Sequence, residues 1–262
     1  MAEQQIRFDD GAAYERMMGV WSRMAGEIFL DWVAPRTGAR WIDIGCGNGA
    51  FTELIVERYS PAEVQGIDPS DGQIAYARTR PGARVAKFQQ GDAMALQFPD
   101  RSFDAATMAL VIFFVPEPAK GVAEMARVLA PGGTAAAYAW DMEGGGFPVA
   151  PVLSEIRALG RTHLYPPRID AARIGVMQSL WTGAGFEGVE TREIKVQRSF
   201  TDFEDYWTTA MLGAIVSATV DTMPPDEVAS LKKNVRARLP ADAAGRITYE
   251  ARANAVKGRL PG

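Results

Sequence analysis

Trp41-Ile42-Asp43-Ile44-Gly45-Cys46-Gly47-Asn48-Gly49 is the stretch that decides the fold of this chain. An apolar run that ends in an acid and breaks into alternating glycines reads as a buried parallel strand entering a tight turn, because glycine tolerates backbone angles that other residues resist. Ala50 to Tyr59 follow at helical spacing, with Phe51, Leu54 and Ile55 inward. Strand, glycine turn and helix start in that order make a ligand-binding unit, since a helix N-terminus offers free amide donors and the positive end of its dipole.

The spacing bears on which ligand. A dinucleotide turn reads G-x-G-x-x-G, whereas the third glycine here comes one residue early and Asp43 stands just upstream. A carboxylate beside the loop repels a doubly anionic pyrophosphate. It suits S-adenosylmethionine, which is net positive through its ammonium and sulfonium and whose carboxylate can meet the loop amides. Val64-Gln65-Gly66-Ile67-Asp68 is a second strand ending in an acid, 19 residues past Gly49 (68 minus 49), where a doubly wound fold places a carboxylate on ribose hydroxyls. Asp68 could equally turn the chain before Pro69 or cap the helix around Gln73 to Arg78. A third strand from Arg84 ends in Gly91-Asp92-Ala93. There Asp92 can accept from an adenine amino group while the Ala93 amide serves a ring nitrogen, or Asp92 can simply cap the loop.

Asp43-x-Gly45-x-Gly47-x-Gly49, Gly66-Ile67-Asp68, Gly91-Asp92-Ala93, Phe103-Asp104-Ala105 and Arg127 to Pro131-Gly132-Gly133 together resemble the class I S-adenosylmethionine-dependent methyltransferases. The pattern is most similar to small-molecule enzymes related to the ubiquinone and menaquinone biosynthesis C-methyltransferases, strongly over residues 12–140 and more loosely beyond. The resemblance implies that Asp43, Gly45, Gly47 and Gly49, with Asn48 in the same loop, cradle the methionine part. It places Asp68 on the ribose, Asp92 and Ala93 on the adenine, and Met108 and Ala109 on the other side of the methionine moiety.

Helices alternating with apolar strands call for an α/β fold, a doubly wound and mainly parallel Rossmann-like sheet, seven-stranded by the resemblance and carrying helical lid insertions. One decorated domain is expected from 262 residues, 47% of them apolar. Residues 12–34 form a helical cover, 40–140 the cofactor-binding core and 141–170 a lid insertion. Residues 171–262 hold closing strands, with a helical insertion at 201–245. In the cover, Tyr14, Met17, Trp21, Met24, Ile28 and Trp32 make one stripe. Tyr14, Trp21 and Arg23 are further cofactor candidates, an Arg for the methionyl carboxylate and an aromatic face for the sulfonium.

A formal charge of −4 with no basic tract gives no footprint for nucleic acid. The longest apolar run, Ala105 to Val115, falls short of the roughly 20 residues a membrane span needs, so a cytoplasmic protein is expected. With a single cysteine, Cys46, and a single histidine, His163, neither an internal disulfide nor a metal site is expected. Cys46 reads as a small side chain packed under a cofactor.

Methyl transfer from a sulfonium is an in-line displacement that excludes water. Phe113, Phe114, Trp140, Phe147 and Tyr165 fall at strand ends or in the lid, where they can hold a flat or greasy small-molecule acceptor or pack beneath the lid. Asp141, just past the fifth strand, and His163, in the lid, are the candidate bases. Related enzymes carry histidines after the fourth strand, where Val111-Ile112-Phe113-Phe114-Val115 offers none. Alternatives are a cofactor-binding module without turnover, an RNA methyltransferase and a nicotinamide-dependent oxidoreductase. The acceptor, the atom methylated and the oligomeric state are not written in the sequence.

Overall fold

A computed structural model describes residues 15–262. The chain enters through a π-helical turn, Glu15–Gly19, and helix α1, Val20–Val33. It then alternates as β1 (Arg40–Ile44), α2 (Ala50–Tyr59), β2 (Glu63–Asp68), α3 (Asp71–Ala77), β3 (Ala86–Gln90), β4 (Phe103–Ala109), α4 (Pro118–Val128) and β5 (Leu129–Trp140). Next come α5 (Ala150–Ala158), α6 (Ile174–Gly183) and β6 (Glu187–Phe200). Helices α7 (Phe203–Met211), α8 (Ala214–Val220) and α9 (Pro225–Arg238) lead to β7 (Ile247–Arg259).

The seven strands form one sheet in the order β3-β2-β1-β4-β5-β7-β6. All neighbours are parallel except β7, which runs antiparallel to both β5 and β6. The expected α/β sheet is present, and α7, α8 and α9 lie between the last two strands. Strand order reverses between β1 and β4, so the turns after these two strands diverge and leave a crevice at their carboxyl ends.

Period-two alternation sends the β1 residues to opposite cores. Ile42 and Ile44 pack on the side of α4 and α6, while Trp41 joins α1, α2 and the inserted helices on the other. Helix α1 buries Trp21, Ala25, Gly26, Phe29, Leu30 and Val33. That face is rotated from the expected stripe: Met24, Ile28 and Trp32 are only partly buried, because the small Ala25 and Gly26 are what allow close approach to α2. A Cβ on Gly26 would lie 3.2 Å from both Leu54 and Phe51. Strand β5 starts at Leu129. Pro131-Gly132-Gly133 lies within it, where the chain turns at Gly132 with φ +75° and Gly132 donates to the carbonyl of Leu260 at 3.0 Å.

Candidate cofactor crevice and acceptor cavity

Gly45, Gly47 and Gly49 adopt φ of +73°, +52° and +79°, the left-handed region that makes glycine necessary here. Gly45 is also sterically closed, since a Cβ would meet Val111 Cγ2 at 2.4 Å, whereas the Cβ position of Gly47 opens into free space. Most loop amides are spoken for. Gly45 and Cys46 donate to the Ile67 carbonyl (2.7 and 2.8 Å), Gly49 to Cys46, and Ala50 to Asn48 Oδ1. The loop therefore offers fewer free donors than its sequence suggests, because the chain has to hold its own turn together.

Asp68 ends β2 at this loop. One carboxylate oxygen accepts from Gly47 N at 3.0 Å and the other from Ser70 N at 2.9 Å, which locks the rotamer and leaves further lone pairs on both oxygens. Burial raises its pKa despite those two bonds. Asp92 is exposed at the end of β3 and accepts from Met94 N at 2.8 Å, with Ala93 half-buried beside it.

Asp43 departs from the expected mouth of the loop. It is fully buried, on the same face of β1 as Trp41, and its Oδ2 accepts from Thr52 Oγ1 at 2.6 Å beneath the first turn of α2. Among the described residues its Oδ1 has no hydrogen-bond partner. Burial pushes the carboxyl up to about 7, the Thr52 hydroxyl pulling against this and nearby Asp68 adding to it. Asp43 thus lies beneath the loop, not at its mouth. Met108 is corrected as well: its side chain turns into the core against Gly121 of α4, so only its backbone lies at the strand end, followed by the half-buried Ala109.

A small apolar cavity of about 50 Å³, partly open to solvent, adjoins this crevice. Leu110, Phe113 and Phe114 after β4 form one wall, Trp140, Met142, Phe147 and Val149 after β5 another. Met17 and Met18 of the entry turn, Pro166, and Gly213 to Val216 at the start of α8 complete it. Leu110 has φ +63°. This twist places Leu110 on the cavity while the next residue, Val111, packs on Gly45, so a single turn serves both sites.

The methyltransferase domain family model matches residues 42–137. Demethylmenaquinone methyltransferase of Thermus thermophilus is 38% identical over 115 residues, 43% of this chain and 50% of that protein. Trans-aconitate 2-methyltransferase of Methylobacterium nodulans is 38% identical over 125 residues, 47% of this chain and 46% of that protein. Among solved structures, phosphoethanolamine N-methyltransferase 2 of Haemonchus contortus in complex with S-adenosyl-L-methionine superposes with a TM-score of 0.61 at 18% identity, covering 97% of this chain and 58% of that one. Residues 42–137 are thus similar to a methyltransferase domain. The chain spans about half the length of the curated relatives it matches.

Around the crevice several candidate residues prove to be structural. Arg23 is exposed and paired with Glu57 at 3.0 Å and Glu27 at 3.2 Å, because α1 turns that position outward. Trp21 is buried against Phe200 and Tyr249, away from any crevice. Tyr14 lies outside the described residues. Asp141 is held by Arg252 through Nε at 3.0 Å and through Nη2, and accepts from Gly144 N at 3.0 Å, so its lone pairs stabilise the lid turn and it is no free base. His163 sits outside the cavity wall between Leu164 O (3.0 Å) and Arg157 (3.2 Å). Burial lowers its pKa, with the Arg157 charge adding to this. Tyr165 is exposed, its hydroxyl bound by Arg157, and it too misses the cavity. Cys46 is buried and its thiol pKa raised by burial, as fits a packed side chain.

The sequence reading missed Glu15 and Arg80. Arg80 donates to the Asn48 carbonyl at 2.7 Å and to Glu53 at 2.9 Å, while Glu15 receives both Asn48 Nδ2 (3.0 Å) and Arg80 (2.7 Å). This cluster straps the entry turn over the glycine loop. Its members lie as far as 65 residues apart, and no local motif announces them. Among the described residues no helix is long and apolar enough to cross a membrane, and no group of three or more acidic, His or Cys side chains could hold a metal.

Proposed function

We propose that the protein transfers a methyl group from S-adenosylmethionine, by in-line displacement, to a small, partly apolar or aromatic acceptor. The observation that carries this reading is the turn after β4, where Val111 closes on Gly45 and Leu110 opens onto the apolar cavity. A reacting pair held on either side of one turn is within reach of in-line alignment.

The residues present fit the cofactor. The buried Asp43 Oδ1 lacks a partner among the described residues, Asp68 keeps lone pairs at the strand end, and Gly47 leaves open space where a side chain would project. Asp68 would hold the ribose hydroxyls, Asp92 and the Ala93 amide the adenine, and Asp43 would favour the cationic end through its field. When bound, S-adenosylmethionine supplies a methyl carbon made electrophilic by its sulfonium. The chain's part is then to orient the acceptor and keep water out, and the phenylalanines, methionines and Trp140 of the cavity suit both tasks.

Among the described residues no titratable side chain lines the cavity. The acceptor must therefore reach the site already ionised, or carry a nucleophile that needs no base. An apolar wall favours a demethylmenaquinone-like ring over a polyanion such as trans-aconitate, and also weighs against RNA. A cytoplasmic site of action belongs to the same proposal. The test is an acceptor screen scored by S-adenosylhomocysteine release. Turnover is expected with hydroxylated naphthalenes and quinols and not with aliphatic polycarboxylates. Tight S-adenosylhomocysteine binding without turnover on any acceptor would make the protein a binding module instead.

A further inference from the structure

At about 50 Å³ the cavity is too small to enclose the acceptor it is shaped for. A cavity of ~150 Å³ is what admits a benzene-sized guest to a protein interior, so a bicyclic ring is enclosed here only if a wall yields. The walls differ in how they are held. Leu110 donates to the Tyr138 carbonyl at 2.8 Å and Trp140 pairs with Ala253 in the sheet, so both belong to the strand ends. Met17 and Met18 lie instead on the π-helical entry turn, a rare backbone form that occurs mostly as single turns and often at functional sites. Side chains from two directions tie this turn down. Arg198 of β6 donates to the Arg16 and Met17 carbonyls at 3.2 and 3.1 Å. On the crevice side the Glu15 carboxylate accepts from Asn48 Nδ2 at 3.0 Å and from Arg80 at 2.7 Å. Glu15 reaches them by lying alongside Gly19, where a Cβ would come within 3.0 Å of its carboxyl carbon.

We propose that Glu15 is a positioning residue for the acceptor: through Asn48 and Arg80 it holds Met17 and Met18 against the cavity, and its release lets the entry turn move aside for a flat apolar ring. The inference rests on the methyl-acceptor reading of the cavity. Asn48 joins the two sites. It belongs to the glycine loop, is 4% exposed and does not line the cavity. Its Oδ1 accepts from Ala50 N and its carbonyl from Arg80 Nε, so Glu15 is bonded to a group that the loop itself fixes. A carboxylate makes both of its bonds stronger than a neutral acceptor would. A ring in the cavity and the carboxylate on Asn48 therefore compete for the position of one turn. Removing the carboxylate should make the ring bind better, the opposite of what loss of a purely structural tie would do.

The test uses tetralin as a flat bicyclic probe on the whole protein without cofactor. Glu15→Gln should bind it about threefold and Glu15→Ala about tenfold more tightly than the wild type, the effect of weakening and of removing bonds that entry must break. In wild-type protein carrying ¹⁵N and methionine-methyl ¹³C labels, tetralin should shift the Met17 and Met18 methyl signals together with the Asn48 side-chain amide signals. Asn48 does not line the cavity, so movement of the entry turn is what carries the change to it. Methyl shifts with the Asn48 signals unmoved overturn the proposal. So do tetralin binding no tighter in Glu15→Ala than in the wild type, and an absence of tetralin binding by wild type and variants alike. The wild-type spectra need no variant, so a misfolded Glu15→Ala does not shelter the proposal. Success in both tests with no S-adenosylhomocysteine binding by the wild type would keep the moving turn and strike the methyltransferase reading instead.

Discussion

The two halves of the site are made in opposite ways. The cofactor crevice is built from consecutive strand-end turns, polar and tightly self-bonded, in which Gly45, Gly47, Asp68 and Asp92 each sit where a strand stops. The acceptor cavity is assembled from Met17, Leu110, Trp140, Phe147 and Ile215, nearly 200 residues from first to last (215 minus 17), and it is almost wholly apolar. A crevice of the first kind can be kept while the sequence around it changes. A cavity of the second kind can be remade by altering the entry turn, the lid or α8 without disturbing the loop. The relatives fit this division: the matched domain ends at residue 137, before the lid and the inserted helices, and the relatives' names give different acceptors.

The largest effect should come where the halves touch. In Gly45→Ala the new methyl would overlap Val111 at 2.4 and 2.7 Å on a backbone at φ +73°. Steric overlap and backbone strain together should cost about 2–5 kcal/mol and abolish S-adenosylhomocysteine binding. Adding Val111→Ala should return part of the stability, since it removes both overlapping methyls and leaves the strain and a 3.1 Å approach to the remaining Cβ. Denaturant unfolding of the single and double variants measures this, and additive losses would mean that the close contact is not what fixes the glycine.

Asp68→Ala tests whether the halves act separately. S-adenosylhomocysteine should bind about 10- to 100-fold more weakly, the loss of charge-assisted bonds worth about 1–3 kcal/mol. Tetralin affinity, measured without cofactor, should not change. A parallel fall in both would show that the crevice supports the cavity mechanically, through the Gly47 turn that Asp68 holds.

The same division sets what could be read from sequence. The glycine turn, α2 and the acid-tipped strands are contiguous patterns, and α2 falls at Ala50–Tyr59 as the periodicity requires. Phe113, Phe114, Trp140 and Phe147 were also legible, because large apolar residues just past buried strands need something to cover. Met17 and Gly213 were not, since each becomes a wall only when α8 packs on the entry turn; a Cβ on Gly213 would lie 2.5 Å from Met17 Cε. Asp43 was found but misplaced. Period two decides which face of β1 it takes, and a motif carries no information about that face. Asp141 and His163 failed as bases because their partners, Arg252 and Arg157, lie on other elements or a turn of helix away.

Asp43 allows a pH test of the crevice alone. Its folded pKa of about 7 lies above the ordinary value, so the cofactor-free protein binds a proton there that the unfolded chain gives up near pH 4. The contribution to stability is therefore greatest below the unfolded pKa, declines as pH rises and levels off past about 7, a fall of at most ~4 kcal/mol. Asp43→Asn should flatten that decline. A cationic ligand reverses the preference by favouring the carboxylate, so S-adenosylmethionine affinity should rise up to about tenfold between roughly pH 6 and 8, with proton release near neutrality. Titration calorimetry in buffers of different ionisation heat measures the released proton. An affinity indifferent to pH in the wild type would mean that the acid beneath the loop does not feel the ligand.

Arg23→Ala should have the smallest effect, and that is its use. Arg23 lies in the cover helix over the crevice half, three residues before Gly26, where α1 meets Leu54 and Phe51 of α2. Yet α1 turns it outward to Glu27 and Glu57, and exposed pairs of this kind contribute under about 1 kcal/mol. Stability should move by less than that and cofactor affinity not at all. A tenfold loss of S-adenosylhomocysteine binding would require α1 to rotate by about two residues when the ligand enters, bringing Arg23 onto the crevice. The Ala25 and Gly26 contacts that give α1 its buried face oppose such a rotation, because both would have to leave α2 together.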